Sequence, residues 1–387
     1  MSLTFHWFLP TQGDGRRLIE TGEPGEPGVA GGYRAPSLPY LARITTAAED
    51  FGFEGALTPT GVWCDDAWVV TAMLSQLSER LKFMVAFRPG LVSPTLAAQM
   101  ASTFQQHSNG RLLLNVVTGG EDHEQRSFGD FLTKEQRYDR TAEFLESVDR
   151  LWKGETLDFD GEHITLEQAQ VHKLPDPKPP IYFGGSSPKA LDVAANQVDV
   201  YLTWGEPPEA VARKISAVKE KAEAAGRSVR FGVRLHTISR DSSEDAWREA
   251  DRLLASVDPE LVARVQEQLA RSQSEGQKRM LALHGGSRSD LEVHPNLWAG
   301  VGLGRGGAGT ALVGSHLEVA DLIEEYARVG IDEFVLSGYP HLEELYWFGE
   351  GVMPELESRG LLRRPENLRE GGSSNVNHVV PFTSQKK

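Results

Sequence analysis

Residues 179–204 read PPIYFGGSSPKALDVAANQVDVYLTW. Ile181–Phe183 is a short apolar run, Pro188–Asn196 carries apolar residues at three- and four-residue spacing, and Val198–Leu202 is apolar again. The first reads as a strand, the second as a helix opened by serine and proline, the third as a strand. The runs are continuous rather than alternating, as in strands buried on both faces.

The same alternation extends in both directions. Strand-like runs lie at Leu3–Leu9, Gly55–Pro59, Leu81–Phe87, Leu112–Val117, Phe231–Ile238 and Glu333–Leu336. Helical spacing covers Pro39–Phe51, Asp65–Leu77, Thr95–His107, Gln136–Trp152, Pro208–Ala225, Ser243–Ser256 and Leu317–Val329. Asp65-Asp66 and Ser93-Pro94 are start signals, while Gly52, Gly110, Gly226 and Gly330 follow helix ends. Eight strands alternating with helices predict an α/β fold, a (β/α)8 TIM barrel. A doubly wound open sheet is the structural alternative, but the eight alternations fall into no obvious halves. A chain of 387 residues suits one such barrel with insertions, spanning residues 1–365.

Three segments exceed the bare barrel. Arg17–Ser37 holds five glycines and three prolines and reads as a long loop. Asp158–Leu174 reads as a hairpin turning at Asp160-Gly161. Residues 259–313 begin with a charged helix and run into a glycine-rich stretch, read as a mobile lid. Residues 366–387 are a polar tail.

Acidic residues number 55 and basic ones 40, a net charge of −15. That argues against nucleic acid and anionic membranes as partners. No apolar stretch approaches the ~20 residues needed to span a bilayer. The amino terminus lacks a basic n-region, so a soluble cytoplasmic protein is expected. The single cysteine, Cys64, excludes an intramolecular disulfide and a cysteine-based metal cluster. The eleven histidines stand in no ligand-spaced pair, and no metal is expected.

Barrel chemistry gathers at the carboxyl ends of strands. Thr11-Gln12-Gly13-Asp14 follows the first strand, Thr60-Gly61 and Cys64 the second, Arg88 the third and Thr118-Gly119-Gly120 the fourth. Gly184-Gly185-Ser186-Ser187 follows the fifth, Trp204-Gly205-Glu206 the sixth and Tyr339-Pro340-His341 the eighth. The glycines and serines before Pro188 suit a phosphate at a helix amino terminus, and equally a plain serine-capped turn. Arg234 and His236 lie two apart on the seventh strand and share one face, an arrangement suited to an oxyanion. An arginine satisfied by a core carboxylate is the plainer reading. Arg305 sits in Gly300–Gly309, which lacks the strand–helix context of a dinucleotide site and could serve a lid. A lone cysteine such as Cys64 is more often a small buried apolar residue than a nucleophile.

Read together, FHWFLPTQGDG, LTPTG with CDDAW, LKFMVAFRPG, SNGRLLLNVVTGG, QRYDRTAEF, PPIYFGGSS, DVYLTWGEPPE, FGVRLHTI, NLWAGVGLGRGGAGTALVG and FVLSGYPHLEE resemble one family. It is the alkanesulfonate monooxygenases, among the bacterial-luciferase-like flavin monooxygenases, and the likeness runs from about residue 3 to 356. The resemblance implies a barrel that takes reduced FMN from a separate NAD(P)H-dependent flavin reductase. It implies O2 as co-substrate and C–S cleavage to sulfite and an aldehyde. It also implies a homo-oligomer, dimer or tetramer.

By the same resemblance, Trp204, Arg234, His236, Tyr339 and His341 form a sulfonate pocket. Arg234, His236, Arg305 and Tyr339 carry the catalysis, with Arg305 closing over the substrate. Asn115, Tyr138, Ser186 and Ser187 hold the flavin, with Cys64 near it and Thr60 at its ring end.

The sequence departs from the family at the presumed pocket mouth. Gln12 replaces a histidine, Val62-Trp63 replaces Arg-Ser, and Arg17–Ser37 is longer than usual. Trp63 offers a platform for a sugar and Gln12 hydrogen bonds for hydroxyls. A sugar sulfonate such as sulfoquinovose, giving a 6-oxo sugar, is therefore expected beside medium-chain alkanesulfonates. A deazaflavin-dependent oxidoreductase on the same barrel, or a flavin- or sulfonate-binding barrel without chemistry, remain the competing expectations.

Overall fold

The computed structural model describes residues 2–18, 33–119 and 121–364. Thirteen strands occur among them: β1 Thr4–Phe8, β2 Gly55–Thr58, β3 Lys82–Phe87, β4 Leu112–Val116, β5 Leu157–Asp160, β6 Thr165–Ala169 and β7 Ile181–Phe183. There follow β8 Val200–Trp204, β9 Arg230–Arg240, β10 Glu292–His294, β11 Leu297–Trp298, β12 Ala311–Ser315 and β13 Glu333–Ser337.

Eight of these close a barrel in the order β1-β2-β3-β4-β7-β8-β9-β13, with every neighbouring pair parallel. Closure comes at β13–β1, where Leu336 faces Trp7. The predicted (β/α)8 TIM barrel is what forms. The eight predicted strands are the eight barrel strands, with ends shifted by a few residues.

Alternation along each strand sorts the side chains. Phe8, Leu57, Met84, Leu113, Tyr182, Val200, Leu202 and Val335 point inward and form their own apolar cluster. Residues of opposite parity, such as Trp7, Phe83, Leu114, Phe183 and Phe334, pack outward on the helices in a separate, larger core. At the barrel floor Glu333 is buried and accepts from Tyr182 (2.7 Å), pairs with His6 (3.0 Å) and meets Arg230. Burial alone would raise the Glu333 carboxyl, but His6, Arg230 and Tyr182 hold it below its usual value.

Local chemistry fixes the helix ends. The hydroxyl of Ser93 caps Leu96 N (3.2 Å) and the carboxylate of Asp66 caps Val69 N (2.9 Å). Gly52 (φ 87°) stops the helix Leu38–Phe51 in the left-handed conformation that glycine enters without strain. The predicted hairpin is β5–β6, antiparallel around Gly161.

The insertion builds a second core. It contributes helices Pro259–Ala270 and Glu275–His284, the strands β10 and β11, the turn Val301–Gly304, and β12. Val262, Leu291, Trp298, Val301, Leu303, Ala311 and Val313 pack there with Ile238 and with Ala246, Ala250 and Leu253 of the helix Ser243–Ala255. The eleven-residue β9 carries both cores. Its lower half pairs with β8 up to Arg234, and its upper half, His236–Arg240, pairs with β12. Gly205 stands at the handover: a Cβ there would lie 2.0 Å from Leu235 Cδ2, and Thr310 Oγ1 donates to its carbonyl at 2.5 Å.

Most of the long loop after the first strand (19–32) and the tail (366–387) lie outside the described residues. Among the described residues no helix is long and apolar enough to cross a membrane.

Candidate active site

The upper ends of β9 and β13 adjoin, with Arg234 beside Val335 and His236 beside Ser337. Parity turns Arg234, His236 and Ser337 inward, above the apolar plug of the lumen. The Arg234 guanidinium sits over the Phe8 ring, 4.8 Å from its centroid. It donates to the Leu235 carbonyl (2.5 Å) and to Ser337 Oγ (2.8 Å). No carboxylate pairs with it among the described residues, so the reading of a core arginine satisfied by an acid does not hold there. Burial, and then the Arg305 charge, push its pKa down. A guanidinium stays charged even so, and this one carries an uncompensated desolvation cost.

His236 lies between two partners. Its Nε2 is 3.1 Å from the Ala308 carbonyl and its Nδ1 2.7 Å from Ser337 Oγ. A carbonyl only accepts, so Nε2 carries the proton. Burial, then the Arg234 and Arg305 charges, drive the imidazole pKa well down, so the ring is neutral and Nδ1 accepts. The chain of donors therefore runs Arg234 to Ser337, Ser337 to His236, His236 to the insertion. The second cation beside Arg234 is Arg305 rather than a protonated His236.

Arg305 reaches from the insertion to donate to the Tyr339 hydroxyl (2.9 Å). The Tyr339 ring stacks on His236 (5.4 Å, 19°) and meets His341 edge-on (5.6 Å). His341 Nδ1 donates to Asp14 Oδ1 (2.9 Å), and its backbone N–H bonds the same carboxylate. Burial alone would raise the Asp14 carboxyl, but His341, by charge and hydrogen bonds, and the Tyr40 hydroxyl hold it below its usual value.

Five predicted residues, Arg234, His236, Arg305, Tyr339 and His341, thus form one contiguous cluster. Trp204 stands beside Arg234 at the end of β8, where a Cβ on Gly276 of the insertion would come within 3.0 Å of its ring.

The other predicted residues line the rim on β1, β2, β4 and β7. Cys64 donates to the Gly61 carbonyl (3.6 Å), and burial pushes its thiol up to about 11, so it stays protonated at neutral pH. Beside it Arg88, buried, pairs with Glu124 (2.6 Å), which also accepts from Val62 N (3.1 Å). Trp63 is 49% exposed, Gln12 buries an unpartnered Oε1, and Thr60 and Asn115 are half-buried at the tips of β2 and β4.

On β7 the Ser187 hydroxyl caps Ala190 N (3.3 Å) at the start of the helix Pro188–Gln197. A Cβ on Gly185 would meet Ala190 Cβ at 2.6 Å and the Tyr138 hydroxyl at 3.1 Å. Tyr201 donates to the Gly185 carbonyl (2.7 Å), and Ser186 lies beside that phenol. Hydroxyls of Tyr138, Ser186 and Ser187 therefore surround a helix amino terminus.

The sequence alone does not assign Asp14, Ser337 or Phe8 to the site. Asp14 and Ser337 were visible as polar residues at strand ends, but their partners stand 327 and 101 residues away.

Residues 3–333 match the family model described as luciferase-like monooxygenase. The fold is similar to a solved structure of riboflavin lyase (RcaE) with modified FMN and riboflavin, with TM-score 0.79, 20% identity, and 96% of this chain and 95% of that one covered. It is also similar to DmoA from Hyphomicrobium sulfonivorans (0.76, 19%, 96% and 92%). A third is EDTA monooxygenase (EmoA) from Chelativorans sp. BNC1 (0.73, 18%, 96% and 98%). At these identities the structural likeness speaks for the fold, while the family model spans most of the sequence. On that span, the chain belongs to the luciferase-like monooxygenase family.

Proposed function

We propose that this protein is a reduced-FMN-dependent sulfonate monooxygenase that releases sulfite and leaves an aldehyde. The observation that carries the reading is the pair Arg234 and Arg305: two guanidiniums above the lumen, with no carboxylate partner among the described residues. A buried cation such as Arg234 favours an anionic ligand, and the planar donors of arginine match its oxygens.

The β7 loop fits a flavin phosphate. Gly185 lets the loop pack closely on Ala190 and Tyr138, the hydroxyls of Tyr138, Ser186 and Ser187 lie at the helix amino terminus, and the helix dipole favours an anion. Asn115, Thr60 and Cys64 lie on the rim where the ring would rest. Reduced FMN, delivered by a partner flavin reductase, supplies the electrons for inserting one atom of O2. The chain's own residues bind and enclose. Arg234 fixes the sulfonate, Ser337 and His236 hold Arg234 in place, and the Arg305–Tyr339 bond draws the insertion over the site to exclude water. Gln12 and Trp63 at the mouth favour a polar, ring-shaped organic group, with a sugar sulfonate such as sulfoquinovose leading and an alkanesulfonate next.

A second copy of the chain is the expected partner for the helix Ala67–Leu74. It leaves Val69 (60%) and Met73 (44%) exposed on one stripe, continued by Leu77 (51%).

The test is sulfite release under air with FMN, NADH, a flavin reductase and sulfonates with and without sugar rings. Sulfite from a sugar sulfonate supports the whole reading. Sulfite from alkanesulfonates alone removes the roles of Gln12 and Trp63. No sulfite and no O2 consumption would favour a deazaflavin oxidoreductase or a binding protein.

A further inference from the structure

Two histidines stand in the cluster, and the hydrogen bonds set them apart. Both nitrogens of His236 are engaged: Nε2 donates to Ala308 and Nδ1 accepts from Ser337. It has no lone pair left to take a proton. His341 differs. Its Nδ1 faces an ionised carboxylate, which only accepts, so that nitrogen carries hydrogen. In the neutral ring the lone pair is then on Nε2, which is buried and has no partner among the described residues. Its ring is held between Phe8 (5.7 Å) and Tyr339 (5.6 Å), the same Phe8 that underlies Arg234.

The carboxylate is itself fixed. Asp14 accepts from the His341 and Gly15 backbone amides and from Tyr40, and Tyr40 is held by Arg34, which pairs with Glu343. The titratable groups facing His341 are Asp14 and, behind it, Tyr40 from the helix Leu38–Phe51, His236 from β9, and Tyr339 beside it.

We propose that His341 is the general base of the reaction and that Asp14 is its positioning residue. The proposal rests on the sulfonate reading given above. Insertion of oxygen at the sulfonate-bearing carbon leaves a hydroxyl on that carbon. His341 Nε2 takes the hydroxyl proton, the O–H electron pair becomes the second C–O bond, and the C–S bond breaks with its pair leaving on sulfur as sulfite. The step is redox-neutral and needs one base near the anion site. Asp14 keeps the basic nitrogen on the substrate side and stabilises the imidazolium that forms.

The experiment compares the wild type, His341→Ala, His341→Gln and Asp14→Asn, each complete, folded by circular dichroism, and supplied with reduced FMN and a sulfonate that the wild type turns over. Sulfonate affinity is measured separately by fluorescence quenching. The expected result is a loss of kcat of about 100-fold or more in both His341 variants, the usual scale for a general base, with affinity changed far less because Arg234 and Arg305 still hold the anion. Added imidazole restores sulfite release in His341→Ala. Asp14→Asn lowers kcat while KM stays within about twofold, because the carboxylate that orients the ring and steadies the imidazolium formed in the step is gone. Undiminished kcat in His341→Gln, no rescue by imidazole, or an undiminished kcat in Asp14→Asn overturns the proposal. A wild type that releases no sulfite from any sulfonate overturns the sulfonate reading instead, and the two failures are distinguishable.

Discussion

Arg305 donates to the Tyr339 hydroxyl across 2.9 Å, and this bond ties the glycine-rich insertion to the loop after β13. Tyr339→Phe removes the acceptor and leaves the stack on His236 in place. A hydrogen bond to a charged group contributes about 1.5–3 kcal/mol. Even the lower figure makes closure about tenfold less favourable. The expected outcome is a KM about tenfold higher and less product per O2 consumed, read from the oxygen-to-sulfite stoichiometry.

Arg234→Met removes a buried cation that no carboxylate balances. Replacing such a charge with an apolar side chain of similar length relieves a desolvation cost and gives up three hydrogen bonds, to the Leu235 and Val335 carbonyls and to Ser337. The melting temperature is expected to stay level or rise, while KM for a sulfonate climbs by about 100-fold. A fall in melting temperature of several degrees would mean that the arginine is structural.

The β7 hydroxyls separate binding from folding. Ser187 caps a helix, so Ser187→Ala costs about 1 kcal/mol of stability as well as flavin affinity. Ser186 caps no helix and bonds the Tyr201 phenol, so Ser186→Ala lowers FMN affinity about fivefold with a smaller loss of stability than Ser187→Ala. Flavin fluorescence quenching and calorimetry on the same samples check both.

Glu333 gives the pH dependence of stability. Its folded pKa lies below the ordinary 4.5, so its contribution is complete above that pH and is lost as the pH falls through the folded value. Glu333→Gln is expected to cost about 3 kcal/mol at neutral pH, the lower end for a buried pair because Arg230 is half exposed. The gap between variant and wild type narrows on acidification, which urea melts at pH 7 and pH 4 would measure.

Met73→Glu places a charge in the exposed stripe with Val69 and Leu77. Light scattering is expected to give a smaller assembly than the wild type, with the barrel intact by circular dichroism.

The barrel was legible because each strand and helix announces itself within a dozen residues. Ile181–Phe183 and Pro188–Gln197 need no distant partner to be recognised. β12 was hidden. Ala311–Ser315 is short, follows Gly306, Gly307 and Gly309, and becomes a strand because β9 overhangs the barrel and offers it an edge. The apolar run of β9 itself ends at Ile238, two residues before the strand does. In the site, Arg234 and His236 declared a shared face by their spacing. Which nitrogen of His236 carries hydrogen did not follow from spacing, because Ala308 and Ser337 decide it from 72 and 101 residues away. Asp14 and His341 likewise meet only when β13 closes on β1.

β9 serves two structures with one run of eleven residues. The insertion borrows its sheet edge from the barrel, so it is not a cassette that can be lifted out and exchanged. A graft from a relative with different selectivity must bring its own His236–Arg240 counterpart together with its β12, and that stretch must still satisfy the recipient's β13 at His236. Insertion and scaffold are thereby written in the same letters. Diversification of this protein is expected to proceed by single substitutions at the rim loops that carry Gln12 and Trp63, rather than by recombination of the cap.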